Sequence, residues 1–246
     1  MQDHHFSGGF PDSILAGDSE FAKNWSDNFI KTYTERDLPL FGLNAEPTTI
    51  SRLWEMLAWN NGNLVNLNSL GKSMGITYHT VNRYIDFFEN AYLVRRLQPF
   101  HFNLKKRLVK SPKVYLTDTG ILHRLLKINN YNQLLGHITI GASWEAYVIN
   151  QTYSLKNNDL ELYFYRTHNG AEVDLVFVKA LQPVATAEIK FTSTPHPAQG
   201  LINCTEDFKT ELNYIITPFS DYYPAKKNIR VCSLPVFLKK HLKEIV

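Results

Sequence analysis

Apolar residues recur along this chain in two rhythms, and the places where the rhythm changes divide it into three segments. Between residues 8 and 40 the spacing is helical. Gly8-Gly9-Phe10-Pro11 reads as a turn, Asp12-Ser13 as the cap of a short apolar helix, and Trp25, Phe29, Ile30 and Tyr33 fall on one helical face. Proline lacks an amide proton and clashes with the preceding turn, so this helix should end near Pro39, with Asn44-Ala45-Glu46-Pro47 as a linker. Residues 1–46 are thus expected to form a leading helical segment, with His4 and His5 in a frayed or tag-like end.

Residues 47–135 keep the helical rhythm but are cut more often. Ile50, Leu53, Trp54, Leu57 and Ala58 make one stripe, closed by Gly62-Asn63. A second helix runs from about Asn68 to Met74 and breaks at Gly75. A third begins after Thr77, a fitting N-cap, with Val81, Tyr84, Ile85 and Phe88 turned inward. These lengths and turns are those of a helix-turn-helix. Two strands, Tyr92–Leu97 and Lys113–Leu116, follow with a long basic loop between them. The stretch from about Leu64 to Asp118 therefore reads as a winged helix-turn-helix.

In residues 136–246 the period falls to two. A helix, Ser143–Leu155, leads into strands Leu160–Arg166, Glu172–Val178, Ala185–Phe191, Tyr214–Thr217 and Arg230–Ser233, and a helix closes the chain after Pro235. The fold class is α/β in the mixed α+β sense: a winged helix-turn-helix, then a mixed sheet with flanking helices.

Composition narrows this reading only a little. A hydrophobic share of 44% supports packed cores and argues against disorder, while a net charge of +3 over 246 residues is too small to identify a partner. Cys204 and Cys232 have no paired spacing, which excludes a disulfide framework or zinc ribbon and fits a reducing cytosol. No apolar run reaches the length of a membrane span. Cytoplasmic placement is the expectation.

The distribution of charge says more than its sum. Between Glu89 and Asp118 there is no acidic residue, yet Arg95, Arg96, Lys105, Lys106, Arg107, Lys110 and Lys113 fall there, with His101 among them. Unopposed positive charge repels itself unless an anion is near, and phosphate is the common one. Tyr78, His79, Thr80, Asn82 and Arg83 lie on the outward, N-terminal part of the third helix, where side chains reach base edges or phosphates. DNA is the expected partner, contacted by Tyr78, His79, Thr80, Arg83, Lys105, Lys106, Arg107, Lys110 and Lys113. Two other readings stay open: such modules also bind proteins, and Arg96 can pair internally with Glu89. Gly71-Lys72-Ser73 imitates the end of a phosphate-binding loop, but Asn66 stands where its first glycine is required and no strand precedes it. No ATP site is expected.

A second constellation lies in the strands. Asp174 sits in Gly170-Ala171-Glu172-Val173-Asp174-Leu175-Val176, and the next strand, after a turn around Gln182-Pro183, carries Glu188-Ile189-Lys190. Alternation puts Glu188 and Lys190 on one face. If the strands pair as a hairpin, Asp174 meets Glu188, and a divalent cation, Mg2+ or Mn2+, relieves their repulsion. Lys190 would steady developing charge or position a water. Glu145, on the helix before the sheet, is the expected third carboxylate. The alternative is a surface hairpin with ordinary solvent-facing residues. Arg166, His168 and Asn169 lie on the approach to Asp174.

Taken together, these residues resemble the C-terminal half of predicted prokaryotic AAA-type ATPases that end in a domain of unknown function. The resemblance is carried by Gly8-Gly9-Phe10-Pro11, Tyr33-Thr34-Glu35-Arg36-Asp37-Leu38, Thr80-Val81-Asn82-Arg83-Tyr84, Asn103-Leu104-Lys105-Lys106-Arg107, Pro112-Lys113-Val114-Tyr115 and Thr117-Asp118-Thr119-Gly120, with Glu145 and Gly170–Asp174. It implies a winged helix followed by a domain similar to PD-(D/E)xK nucleases, of restriction-endonuclease-like fold, with Asp174, Glu188 and Lys190 on the motif and Glu145 upstream. Members of that family begin with an ATPase module whose phosphate- and magnesium-binding motifs this sequence lacks. Residues 8–40 look like the tail of that module, so the chain is expected to be a piece of a longer protein or a degenerate gene product. The resulting expectation is a nucleic-acid-binding protein with a nuclease-like, metal-dependent domain. The alternative is a non-catalytic DNA- or protein-binding module, and a homo-oligomer is compatible with either.

Overall fold

The computed structural model describes residues 1–101, 108–167, 170–219, 222–226 and 228–245. They form two compact units, Met1–Arg96 with Lys113–Tyr147, and Leu97–Pro112 with Val148–Val246.

In the first unit, α1 (Gln2–Ser7), α2 (Pro11–Ile14) and α3 (Ser19–Thr32) run through a π-helical turn (Tyr33–Asp37) into α4 (Leu38–Leu40). Then come α5 (Pro47–Trp59), α6 (Leu67–Met74), α7 (Tyr78–Asn90), β1 (Val94–Leu97), β2 (Lys113–Leu116), α8 (Thr119–Leu125), α9 (Tyr131–Leu135) and the start of α10 (Ile140–Leu155). Residues 1–46 are not a separate segment. Phe6, Phe10, Trp25, Phe29 and Tyr33 pack on the same core as Trp54, Ile85, Phe88 and Leu122. Asp12 and Ser13 do not cap a helix either. Pro11 opens α2 at N1, where its missing N–H costs nothing, and Asp18 caps α3 by accepting from Glu20 N at 3.0 Å.

The N-terminus is likewise not frayed: His5 is 1% exposed. Two glycines allow this docking. A Cβ on Gly120 would stand 2.1 Å from the Ser7 carbonyl oxygen, and one on Gly8, where φ is +78°, would stand 2.2 Å from Asp118 Oδ1. Asp118 completes the junction, accepting from Gly9 N at 2.7 Å and Ile121 N at 2.8 Å. The Gly8-Gly9-Phe10-Pro11 and Thr117-Asp118-Thr119-Gly120 stretches are thus two halves of one contact.

Helices α5, α6 and α7 make the helix-turn-helix. Asn66 caps α6 by accepting from Ser69 N at 3.0 Å, and Gly75 ends it in the left-handed region at φ 71°. Thr77 caps α7 by accepting from Thr80 N at 3.2 Å. β1 and β2 pair as a two-stranded sheet. The described residues between them, 98–101 and 108–112, are not a free hairpin loop, because they belong to the second unit. Phe100 N donates to Phe164 O at 2.7 Å, Phe164 N to Gln98 O at 3.1 Å, and Val109 N to Arg166 O at 3.2 Å. An edge strand offers unpaired backbone groups along its length, and these segments satisfy part of that row.

The second unit is a six-stranded mixed sheet. Its strands are β3 (Glu161–Arg166), β4 (Glu172–Lys179), β5 (Gln182–Ile189), β6 (Leu212–Thr217), β7 (Tyr223–Lys226) and β8 (Ile229–Ser233), in spatial order β3-β4-β5-β6-β8-β7. β5, β6 and β8 are parallel, while β3, β4 and β7 join antiparallel to their neighbours. α11 (Gln199–Phe208) crosses from β5 to β6, burying Leu201, Cys204 and Phe208. After β8 the chain forms α12 (Leu234–Val236), a π-helical turn (Phe237–His241) and α13 (Leu242–Ile245). The β4–β5 turn is Ala180-Leu181, both at positive φ, and not Gln182-Pro183. Two left-handed residues match the twist of a tight hairpin, and Pro183 is accommodated where the register shifts.

Candidate functional site

Asp174 and Glu188 are brought together by the β4–β5 ladder. Leu175 pairs with Ala187, so the next step along the antiparallel strands sets Asp174 against Glu188. Asp174 Oδ2 accepts from Ile189 N at 2.8 Å. Glu188 Oε1 lies 3.1 Å from Lys190 Nζ, and Oε2 accepts from Ala198 N at 3.2 Å. Lys190 Nζ also donates to the His196 carbonyl. Glu188 is 8% exposed, so it is not an ordinary solvent-facing residue. Burial pushes its carboxyl above the usual range, the Asp174 charge adds to that, and the Ala198 N–H and Lys190 oppose it.

The segment following Lys190 shapes this site, and only the fold reveals it. A Cβ on Gly200 would stand 2.6 Å from Glu172 O, so a glycine lets the start of α11 lie on the beginning of β4. That approach carries the Ala198 amide to Glu188. Arg166 Nη1 pairs with Glu172 Oε2 at 3.5 Å across the β3–β4 register. His168 and Asn169 lie outside the described residues.

Glu145 belongs to the first unit and has another engagement. Its Oε1 accepts from Lys113 Nζ at 2.9 Å and from the Tyr115 hydroxyl. Lys113 is 3% exposed, which corrects its assignment as a phosphate contact: an ammonium held by a carboxylate beneath the surface is not presented to a partner. Among the described residues no group of three or more His, Cys, Asp and Glu side chains is placed to hold a metal ion.

On the helix-turn-helix, Tyr78, His79 and Arg83 are exposed, and the Tyr78 and His79 rings lie 3.9 Å apart. Thr80 is half-buried and spent on the cap, its hydroxyl 2.9 Å from that of Thr77. Arg96 pairs internally. It donates through Nε to Glu89 at 2.7 Å, through Nη2 to Asp86 at 2.7 Å and through Nη1 to Asn82 at 3.2 Å. Lys110 is exposed, and Lys105, Lys106 and Arg107 lie outside the described residues.

One buried polar cluster escaped sequence reasoning entirely. Ser143 Oγ lies 2.9 Å from His5 Nε2 and 2.6 Å from His123 Nε2, with His123 Nδ1 2.9 Å from Phe6 O. A carbonyl can only accept, so His123 carries its proton on Nδ1 and its Nε2 accepts from the serine hydroxyl. Ser143 then accepts from His5 Nε2–H. Burial lowers the pKa of His5 to about 3, with His123 a lesser cause, and that of His123 to about 4. Ser143 is 0% exposed and His5 and His123 are each 1% exposed, so the cluster forms part of the core.

A helix-turn-helix unit and a mixed α/β sheet unit with an acidic pair, Asp174 half-buried and Glu188 buried, define the class of protein. The chain belongs to the family described as Domain of unknown function (DUF8612), whose model matches residues 1–132. Residues 140–237 match a second model, Domain of unknown function (DUF4143). Over 222 residues the chain is 36% identical to Uncharacterized protein Mb2031c of Mycobacterium bovis, and to the same extent to Uncharacterized protein Rv2008c of Mycobacterium tuberculosis. The matched span is 90% of this chain and 50% of each relative, so the chain spans about half the length of these proteins. No solved structure is a significant match. No helix among the described residues is long and apolar enough to cross a membrane.

Proposed function

We propose that the chain binds nucleic acid through its helix-turn-helix and that its second unit is a nuclease-like domain of the PD-(D/E)xK kind, acting on phosphodiesters with a divalent cation. The observation that carries this is Asp174 and Glu188 facing each other across β4–β5, with Lys190 3.1 Å from Glu188. Two carboxylate groups are the hard oxygen donors that Mg2+ or Mn2+ accepts, and magnesium commonly takes one or two carboxylates and completes its shell with water and substrate phosphate. The donor set therefore fits the cation in kind, with Asp174 and Glu188 as its holders. Such a cation supplies charge stabilisation at phosphorus and a more acidic water. Lys190, part-exposed, would steady charge on a phosphate oxygen. Tyr78, His79 and Arg83 on α7 and Lys110 would bind and orient the strand. In the longer relatives, we propose, this half works beside an AAA-type ATPase module.

A second reading is a non-catalytic binding module. It is favoured by the occupation of the carboxylates by internal partners, Ile189 N, Ala198 N and Lys190, and by the engagement of Glu145 elsewhere. The test is cleavage of end-labelled single- and double-stranded DNA and RNA with Mg2+ or Mn2+. Asp174→Asn and Lys190→Ala should each cut the rate by about 100-fold or more while binding persists. Absence of cleavage by the wild-type chain, with binding intact, would select the second reading.

A further inference from the structure

The last part of the second unit carries a basic surface that none of the roles above uses. From Tyr222 to Val246 the sequence holds Lys226, Lys227, Arg230, Lys239, Lys240 and Lys243 against a single acidic residue, Glu244. Lys226, Lys239, Lys240 and Lys243 are exposed, and among the described residues no carboxylate lies within ion-pair distance of any of them, although the Glu244 charge acts on Lys240 from further away. Glu244 is taken by His241, whose Nδ1 lies 3.1 Å from its Oε2.

The aromatic residues of this surface have a particular arrangement. Tyr222 is 43% exposed, its ring stacked on buried His241 at 4.9 Å between centroids, with Lys240 Nζ 5.2 Å from its ring centre. Tyr223, 40% exposed, opens the edge strand β7. The π-helical turn Phe237–His241 carries Lys239 and sets Lys240 beside Tyr222, and such turns recur at functional positions. Lysines guard edge strands against pairing, which accounts for Lys226 on β7. It does not account for Lys239, Lys240 and Lys243, which lie on helical turns, where like charges three and four apart repel. Repelling cations beside a part-exposed tyrosine are suited to a strand of phosphates and bases.

We infer that the β7 edge and the turns after β8 form a nucleic-acid-binding surface. Lys226, Lys239, Lys240 and Lys243 hold the phosphate backbone, and Tyr222 offers a stacking face. This surface is separate from α7, and it rests on the preceding reading only for the class of partner. Its residues are exposed, so substitution leaves the fold in place.

The experiment is fluorescence anisotropy with labelled single-stranded and duplex DNA over a salt series. The proteins are wild type, the triple variant K239Q/K240Q/K243Q, Tyr222→Ala, and His79→Ala/Arg83→Ala on the other unit. The triple variant should bind at least about tenfold more weakly at low salt, with a log–log salt slope shallower by about 3. Tyr222→Ala should weaken single-strand binding more than duplex binding. If the triple variant keeps wild-type affinity and slope while His79→Ala/Arg83→Ala loses binding, this surface is overturned and the α7 interface stands. Binding of the wild type to phosphatidylserine vesicles but to neither DNA would overturn both.

Discussion

The Ser143 cluster makes stability of the first unit acid-sensitive in a way that can be worked from the structure. His5 and His123 are neutral when folded, with pKa values lowered to about 3 and about 4, while in the unfolded chain each titrates near its ordinary 6.5. Between these limits the unfolded state binds more protons, so stability rises with pH and falls as pH drops below 6.5. At pH 5 each histidine should remove about 2 kcal/mol, so the pair removes ~4 kcal/mol relative to pH 7.5, a large share of a typical domain's stability. All four tryptophans, Trp25, Trp54, Trp59 and Trp144, lie in the first unit, so their fluorescence reports its unfolding in urea. The urea midpoint should fall steeply from pH 6.5 to 5 at constant m-value, and His123→Phe should remove close to half of that dependence. A midpoint flat over this interval, or a slope unchanged in His123→Phe, would refute the assigned neutral, buried pair.

Other substitutions test the remaining contacts. Gly120→Ala should cost about 1–3 kcal/mol in urea unfolding, because its methyl meets the Ser7 carbonyl and α1 must lift. Lys113→Ala leaves the Glu145 carboxylate without its buried cation and should cost about 3–5 kcal/mol, whereas a surface phosphate contact would alter only the salt slope of DNA binding. Arg96→Ala should destabilise by about 1–3 kcal/mol, since Asp86 and Glu89 then face each other uncompensated, and differential scanning calorimetry checks it. On the proposed nuclease reading, Asp174→Asn should lower Mn2+ binding, measured by paramagnetic relaxation of water protons.

Local features were legible in the sequence because they depend on neighbours a few residues apart. Thr77 before Val81, Tyr84 and Ile85 announces a capped amphipathic helix, and Gly75 announces the break before it. Alternation in Glu172–Val178 reveals a strand, and its closeness to Glu188 and Lys190 in the sequence makes the hairpin pairing of Asp174 with Glu188 foreseeable. The Ala180-Leu181 turn was hidden because neither residue is a usual bearer of positive φ, so Gln182-Pro183 drew the boundary instead.

What the sequence by itself determined is the helix-turn-helix, the strands β3, β4, β5, β6 and β8 in their order, the α/β class and the acidic pair with its lysine, since these follow from local periodicity and one short hairpin; α8, α9, α11 and the edge strand β7 it did not announce. The tertiary structure decided which charges are available. Lys113 and Arg96 look alike in a basic run, but burial against Glu145 removes one, and Asp86 and Glu89 engage the other. It also turned His5, from a frayed end, into a core residue bonded to Ser143, 138 positions away. Burial and pairing depend on which distant segments pack together, and no spacing along the chain encodes that directly.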